Sequence, residues 1–425
     1  MGCSCGTDTK ENQSPNIKIE KKENLKTFDK EKCKSIVSSL PTRVKTDLQS
    51  LKDKMKSQTQ KLSQTEKSFV LFLWECQNID YDAENYFAGR SVDCTPEGVF
   101  KNGKTVCSGY SRLYKEIAVY LELKVECVSC YSKGVGYEPG KQLTKTDHEY
   151  NVINLDNKWF PIDATWGAGH IEGNQYIKGF NEFYFLANPE LLIKSHFPED
   201  EKWQLTKKKY SLQDFLTWPK IYSYFFQYDF YKYNPEKGLI ELKNKNTQKF
   251  IVWRKNMKSA GASCCIFLLE GNCYKQQLNL SYVNYYDDRF EVDCIFNKKG
   301  KYKVQLFGND TGDISTKGII DYTVIVTNDA KNELFFPRTY NEAKNINLIE
   351  PLYDNLKSGE KIKFKIKSDL ETIIIIDGKW YYLQKKQNGY FEEEINIQTV
   401  PGKNVVIGKK KENGSCDFMV AYNIV

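Results

Sequence analysis

The chain has 425 residues, too many for one ordinary hydrophobic core, and its 40% hydrophobic content with 14% aromatics is ample for two to four packed domains. The net charge of +7 is slight for this length, and most of it sits in the first 67 positions, which hold 15 basic and 9 acidic residues. No apolar run approaches the ~18–20 residues of a membrane span; no secretory apolar segment follows Met1; and thirteen scattered cysteines, odd in number, fit a reducing cytosol better than a disulfide scaffold.

Residues 1–29 read as a polar, disordered tail. Its start, Met1-Gly-Cys-Ser-Cys-Gly6, offers Gly2 for myristoylation and Cys3 and Cys5 for palmitoylation. Two acyl chains, or one with the basic excess just downstream, would hold the chain at an anionic membrane surface. Residue 6 is Gly where the acylation pattern prefers Ser or Thr.

From residue 30 the pattern turns helical. Ile36, Val37 and Leu40 precede Pro41, and Leu48, Leu51, Met55 and Leu62 then recur at helical spacing on a Lys- and Gln-rich background, an amphipathic N-terminal cover for the domain beyond it. Ser63-Gln-Thr-Glu66 has the form of a capping box and would start a helix carrying Phe69, Leu73 and Trp74 as core residues. Tyr81 to Phe100 is rich in Asp, Asn, Gly and Pro and reads as a loop.

Cys107 follows Gly103-Lys-Thr-Val106. Beyond it, Tyr110, Leu113, Tyr114, Ile117 and Leu121 fall on one face of a helix. Cys107 then sits in the first helical turn, where unpaired N–H groups and the macrodipole favour an anion, and the thiolate is the reactive form of cysteine. Gly109 would leave room beside the sulfur. A buried structural thiol is the competing reading for any one of thirteen cysteines.

Lys124 to Tyr131 reads as a strand, and Cys127 and Cys130 belong to it, since no second pair or nearby histidine completes a zinc site. The lysine- and glycine-rich stretch Ser132–Thr146 is an exposed loop that leads into His148. His148 to Leu155 and Lys158 to Asp163 read as a hairpin closed by the turn Asp156-Asn157. With Leu155 opposite Lys158, Tyr150 faces Asp163 and His148 lies diagonal to it on the same face. Pro161 suggests an edge or strand-end position. Asp163 would then hold one imidazole nitrogen and leave the other to Cys107, the arrangement of an activated thiol nucleophile. His170 and Trp166 would line the cleft or pack beside it, and His196 reads as a structural histidine satisfying backbone groups.

From residue 219 strand-like runs alternate with turn signals every ten residues or so, as in antiparallel β-sandwiches. A weak internal echo, Phe290-Glu-Val-Asp with Gly300-Lys-Tyr-Lys-Val and Phe391-Glu-Glu-Glu with Gly402-Lys-Asn-Val-Val, divides this part into two related β modules. Basic and aromatic residues interleave near Trp218–Lys237, but acids are mixed in and no nucleic-acid motif accompanies them.

Four motifs, Trp74–Asp82, Lys104–Ser111, Asp147–Asn151 and Trp159–Gly167, together resemble the transglutaminase-like superfamily. The segments Trp166–His170, Asn181–Leu186 and His196–Leu205 resemble its kyphoscoliosis-peptidase branch. The resemblance implies that Cys107, His148 and Asp163 are the nucleophile, base and orienting acid of a papain-like triad. It implies a transglutaminase-like catalytic domain over residues 30–218, with a helical part and an antiparallel sheet; with the strand pattern beyond it, read as sandwich-like β modules over 219–328 and 329–425, the expected fold class is α+β. It implies protein substrates and a cytoskeletal setting, in the cytoplasm or on the inner face of a membrane. No cofactor, metal or nucleic acid is expected, and no acidic loop recommends the calcium activation of some transglutaminases. The expected activity is a peptidase-like cysteine hydrolase. The alternatives are protein-glutamine transfer and a catalytically silent scaffold, the role of relatives that have lost the cysteine.

Overall fold

The computed structural model describes residues 28–257, 260–310, 313, 315–387 and 389–425. Gly2, Cys3 and Cys5, the expected lipidation positions, lie outside the described residues. Two compact units meet at the Leu216–Thr217 bond. Helices and strands are mixed overall, and strands in many sheets predominate.

The N-terminal unit opens with α1 (Lys30–Ser39), α2 (Leu48–Thr59) and α3 (Gln64–Asn78). Asp29, Asp47 and Ser63 cap them by accepting backbone N–H groups of the first turn, and Ser63 with Glu66 completes the capping box. α3 carries an unbroken buried run from Ser68 to Cys76, so it is a central helix covered on all sides and not an amphipathic one. Two short parallel strands, β1 (Asp80–Tyr81) and β2 (Lys104–Thr105), bracket α4 (Ala83–Phe87) and α5 (Pro96–Asn102). The expected loop from Tyr81 to Phe100 is therefore half helical, and 88–95 is the part without helix between α4 and α5. Asp82 and Thr95 accept first-turn N–H groups, and Pro96 sits where a helix has no need of an N–H.

Next come α6 (Cys107–Tyr120) and the strands β3 (Lys124–Ser132), β4 (His148–Leu155) and β5 (Lys158–Ile162). α7 (Ala164–Ala168) leads to the small hairpin of β6 (Gly169–Glu172) and β7 (Gln175–Lys178), and β8 (His196–Pro198) closes the main sheet. That sheet is antiparallel throughout, in the order β5-β4-β3-β8. Leu155 pairs with Lys158, Asp156 and Asn157 take the positive φ of a tight hairpin turn, and Pro161 lies on the edge strand β5. α6 packs its Tyr110, Leu113, Tyr114 and Ile117 face between this sheet and α3.

The C-terminal unit is built of sheets. Strands 230–234, 247–254, 289–295 and 281–285 form one sheet, and 239–242, 317–326, 300–308, 262–270 and 273–277 form another, with 220–221 alongside. Leu239–Leu242 pairs in parallel with Lys317–Val326, a departure from the all-antiparallel expectation. After residue 337 a five-stranded and a three-stranded sheet follow.

Candidate active site

Cys107 is the first residue of α6, half-buried, with Val106 in extended conformation at the cap. Gly109 is required here for a reason other than room at the sulfur: a Cβ on it would stand 2.0 Å from Thr105 Oγ1. The close approach of Thr105 sets where the helix starts, and so where the thiol points.

Asp163 leaves the hairpin at the end of β5 and becomes the cap of α7, its Oδ1 accepting the Trp166 N–H at 3.0 Å. This turn of the backbone brings its carboxylate onto the face of His148, whose Nε2 lies 2.7 Å from Asp163 Oδ2. Both side chains are buried, Asp163 at 1% exposure. Cys107 is the other side chain that acts on this imidazole, adding to the effect of Asp163. Asp147 turns its carboxylate away, accepting the Ser132 N–H at 2.7 Å.

Burial alone would lower the affinity of His148 for a proton. The charge and hydrogen bond of Asp163, joined by Cys107, outweigh it and push the imidazole up to about 10. Burial likewise works to raise Asp163, yet His148 and then His196 hold it below the usual carboxylate range. His148 is thus held as an imidazolium near neutrality, with a carboxylate and a cysteine as its partners.

His196 enters this site instead of satisfying backbone groups. Its Nε2 is 3.0 Å from the same Asp163 Oδ2, and its Nδ1 is 2.8 Å from Ser195 Oγ. The ligand atoms of His148, Asp163 and His196 lie within 4.8 Å of one another. By type this is a metal-ligand set; here each imidazole bonds the carboxylate at hydrogen-bond distance. His170 is exposed on β6, whereas Trp166 packs its ring 5.6 Å from His148 and 4.4 Å from His196.

Tyr81 and Tyr86 belong to the stretch before the nucleophile helix. Burial first raises both phenols; Cys107 comes next for Tyr81, and Asp147 before Cys107 for Tyr86. Tyr86 and Phe87 stack edge to face at 5.2 Å and stay about two-fifths exposed.

A family model described as KY-like, immunoglobulin-like domain matches residues 212–337. Kyphoscoliosis peptidase of Mus musculus is 28% identical over 265 residues, which is 62% of this chain and 38% of that protein. The Homo sapiens protein of that name is 28% identical over 262 residues, 61% of this chain and 38% of its own. Lim and transglutaminase domain protein ltd-1 of Caenorhabditis elegans is 30% identical over 150 residues, 32% of this chain and 20% of that one. The chain spans less than two fifths of the length of these curated relatives. The solved structure of red sea bream transglutaminase aligns over 93% of this chain and 73% of that chain at 7% identity with a TM-score of 0.23, too low to carry an argument.

Proposed function

Starting from a chain that belongs to the transglutaminase-like family in its kyphoscoliosis-peptidase branch, we propose a cysteine-dependent hydrolase of protein amide bonds. What supports this reading is the buried Asp163–His148 pair at 2.7 Å, with Cys107, the first residue of a helix, as the next group acting on the same imidazole.

The Cys107 thiolate attacks the carbonyl carbon of the scissile amide. The Cys107 backbone N–H, at the open end of α6, faces the developing oxyanion. The His148 imidazolium gives its proton to the departing amine, and a thioester on Cys107 remains. Neutral His148 then takes a proton from water, which attacks the thioester and releases the acid and the thiolate. Asp163 keeps the imidazole oriented and stabilises its cationic form. An amine in place of water gives transfer instead of hydrolysis, the same chemistry with another acceptor. The substrates are proteins, in a cytoskeletal setting, and the acylable tail at Gly2, Cys3 and Cys5 holds the enzyme at the inner surface of a membrane. Among the described residues no helix is long and apolar enough to cross one.

The test incubates the protein with casein and a labelled primary amine, beside Cys107→Ser. Casein fragments that disappear with Cys107→Ser support hydrolysis. Label on casein, lost in the same variant, moves the assignment to transfer. If intact protein and variant behave alike, and Cys107 is alkylated no faster than surface cysteines, the chain is a scaffold and the enzyme reading fails.

A further inference from the structure

The strand order brings a second histidine to the carboxylate. β3 runs between β4 and β8; its Cys130 pairs with His148 on one side and its Ser132 with His196 on the other. The two imidazoles therefore approach Asp163 from flanking strands and share its Oδ2, at 2.7 and 3.0 Å. Their rings stand edge to face at 5.2 Å.

His196 is 1% exposed, and both of its ring nitrogens are used by side chains. The rings of Trp166, Tyr150 and Tyr184 wall it in at 4.4, 5.7 and 6.2 Å. A buried ring with two polar atoms is a costly way to fill space when phenylalanine has none. The titratable groups that face it are Asp163, His148, Asp147, Tyr150 and Tyr184. Burial keeps this ring neutral against the pull of Asp163. A neutral His196 bonded to a carboxylate carries its proton on Nε2, so its Nδ1 accepts the one proton of the Ser195 hydroxyl at 2.8 Å, ahead of the Leu192 carbonyl 3.2 Å from the same oxygen. It donates to Asp163 without competing for the positive charge, which stays on the ring that faces Cys107.

We propose that His196 is a positioning residue of the site, clamping Asp163 Oδ2 in the orientation that serves His148, with Ser195 fixing its tautomer. The inference rests on the reading of Cys107 and His148 as a thiolate–imidazolium pair. Without the clamp, the donors left to the Asp163 carboxylate among the described residues are the Trp166 N–H and His148; the carboxylate is freer to turn, and the imidazolium, and with it the thiolate at acid pH, loses support.

The experiment follows alkylation of Cys107 by iodoacetamide from acid to alkaline pH, read by peptide mass spectrometry with the other cysteines as internal references. It compares the full chain with His196→Gln and His196→Leu. Glutamine can donate to Asp163 and accept from Ser195; leucine fills space and does neither. The wild type retains Cys107 reactivity at acid pH. His196→Leu loses about tenfold of it, the effect of one pKa unit, and His196→Gln keeps most of it. A folded His196→Leu with the wild-type acid profile overturns the proposal. Should the leucine variant not fold, Ser195→Ala decides: a several-fold drop at acid pH supports the clamp, and an unchanged profile removes it. Absence of acid-pH reactivity in the wild type itself sinks the ion-pair reading, a distinct failure.

Discussion

Glu75 shows what a single residue in the wrong solvent does. It is fully buried in α3, both of its carboxyl oxygens lack a hydrogen-bond partner among the described residues, and burial followed by repulsion from Asp163 raises it well above the carboxylate range. It is a neutral acid inside the core. The folded form holds this proton while the unfolded chain releases it above about pH 4.3, so the residue subtracts stability as pH rises past that value. Glu75→Gln, which cannot ionise, is expected to unfold at higher denaturant than wild type at neutral pH, with the gap closing near pH 4. Urea melts at both pH values check this; a gap that is equal at the two would mean that the proton is not the cause. His148 and Asp163 obey the same physics with the opposite outcome, because each has the other as a partner. Burial was the part of this not readable from the chain: Trp74-Glu-Cys marks a helix, but nothing local says that all its sides are covered.

Among the elements, α6 depends most on one small residue. Gly109→Ala puts a methyl group into Thr105, and the helix must shift or the threonine must move. Overpacking of this kind costs about 1–3 kcal/mol, and here it also displaces Cys107. The expected result is a lower melting temperature together with slower Cys107 alkylation; Thr105→Ser relieves only the contact with the threonine methyl, since the alanine also meets its Oγ1 at 2.0 Å, and should restore part of both. The helix itself was legible, since its apolar residues recur at helical spacing. So were the β4–β5 hairpin, its register and the edge position of Pro161, because alternation, a two-residue turn and the missing N–H of proline are local facts. α4 and α5 were missed because Asp, Asn, Gly and Pro mark loops and helix caps equally, and only the bonds of Asp82 and Thr95 decide between the two.

At the scale of the molecule, the hydrophobic core of the N-terminal unit is drawn entirely from residues before 217. A chain of residues 28–216 is therefore expected to fold alone, with native helical circular dichroism and wild-type Cys107 alkylation. A molten spectrum would show that its core is not sufficient. In the C-terminal unit 289–295 and 390–396 lie in a four- and a three-stranded sheet, and 300–308 and 404–410 in a six- and a five-stranded one. The junction between these halves was invisible beforehand. Asn284 accepts the Leu348 N–H at 3.1 Å and Asn347 accepts the Tyr285 N–H at 2.8 Å, a reciprocal pair of buried amides some 60 residues apart in the chain.

The order of residues alone determined the kinds of element and the chemical types available, since periodicity, capping and turn chemistry act over a few positions. Cysteine, histidine and aspartate could be nominated on that basis and by resemblance. Only the tertiary structure decided that Asp163 would leave its strand to cap a helix, that His196 would reach it from the far side of β3, and that Glu75 would have no partner among the described residues. Each of those depends on which strands and helices become neighbours, and that is settled by packing across the whole unit.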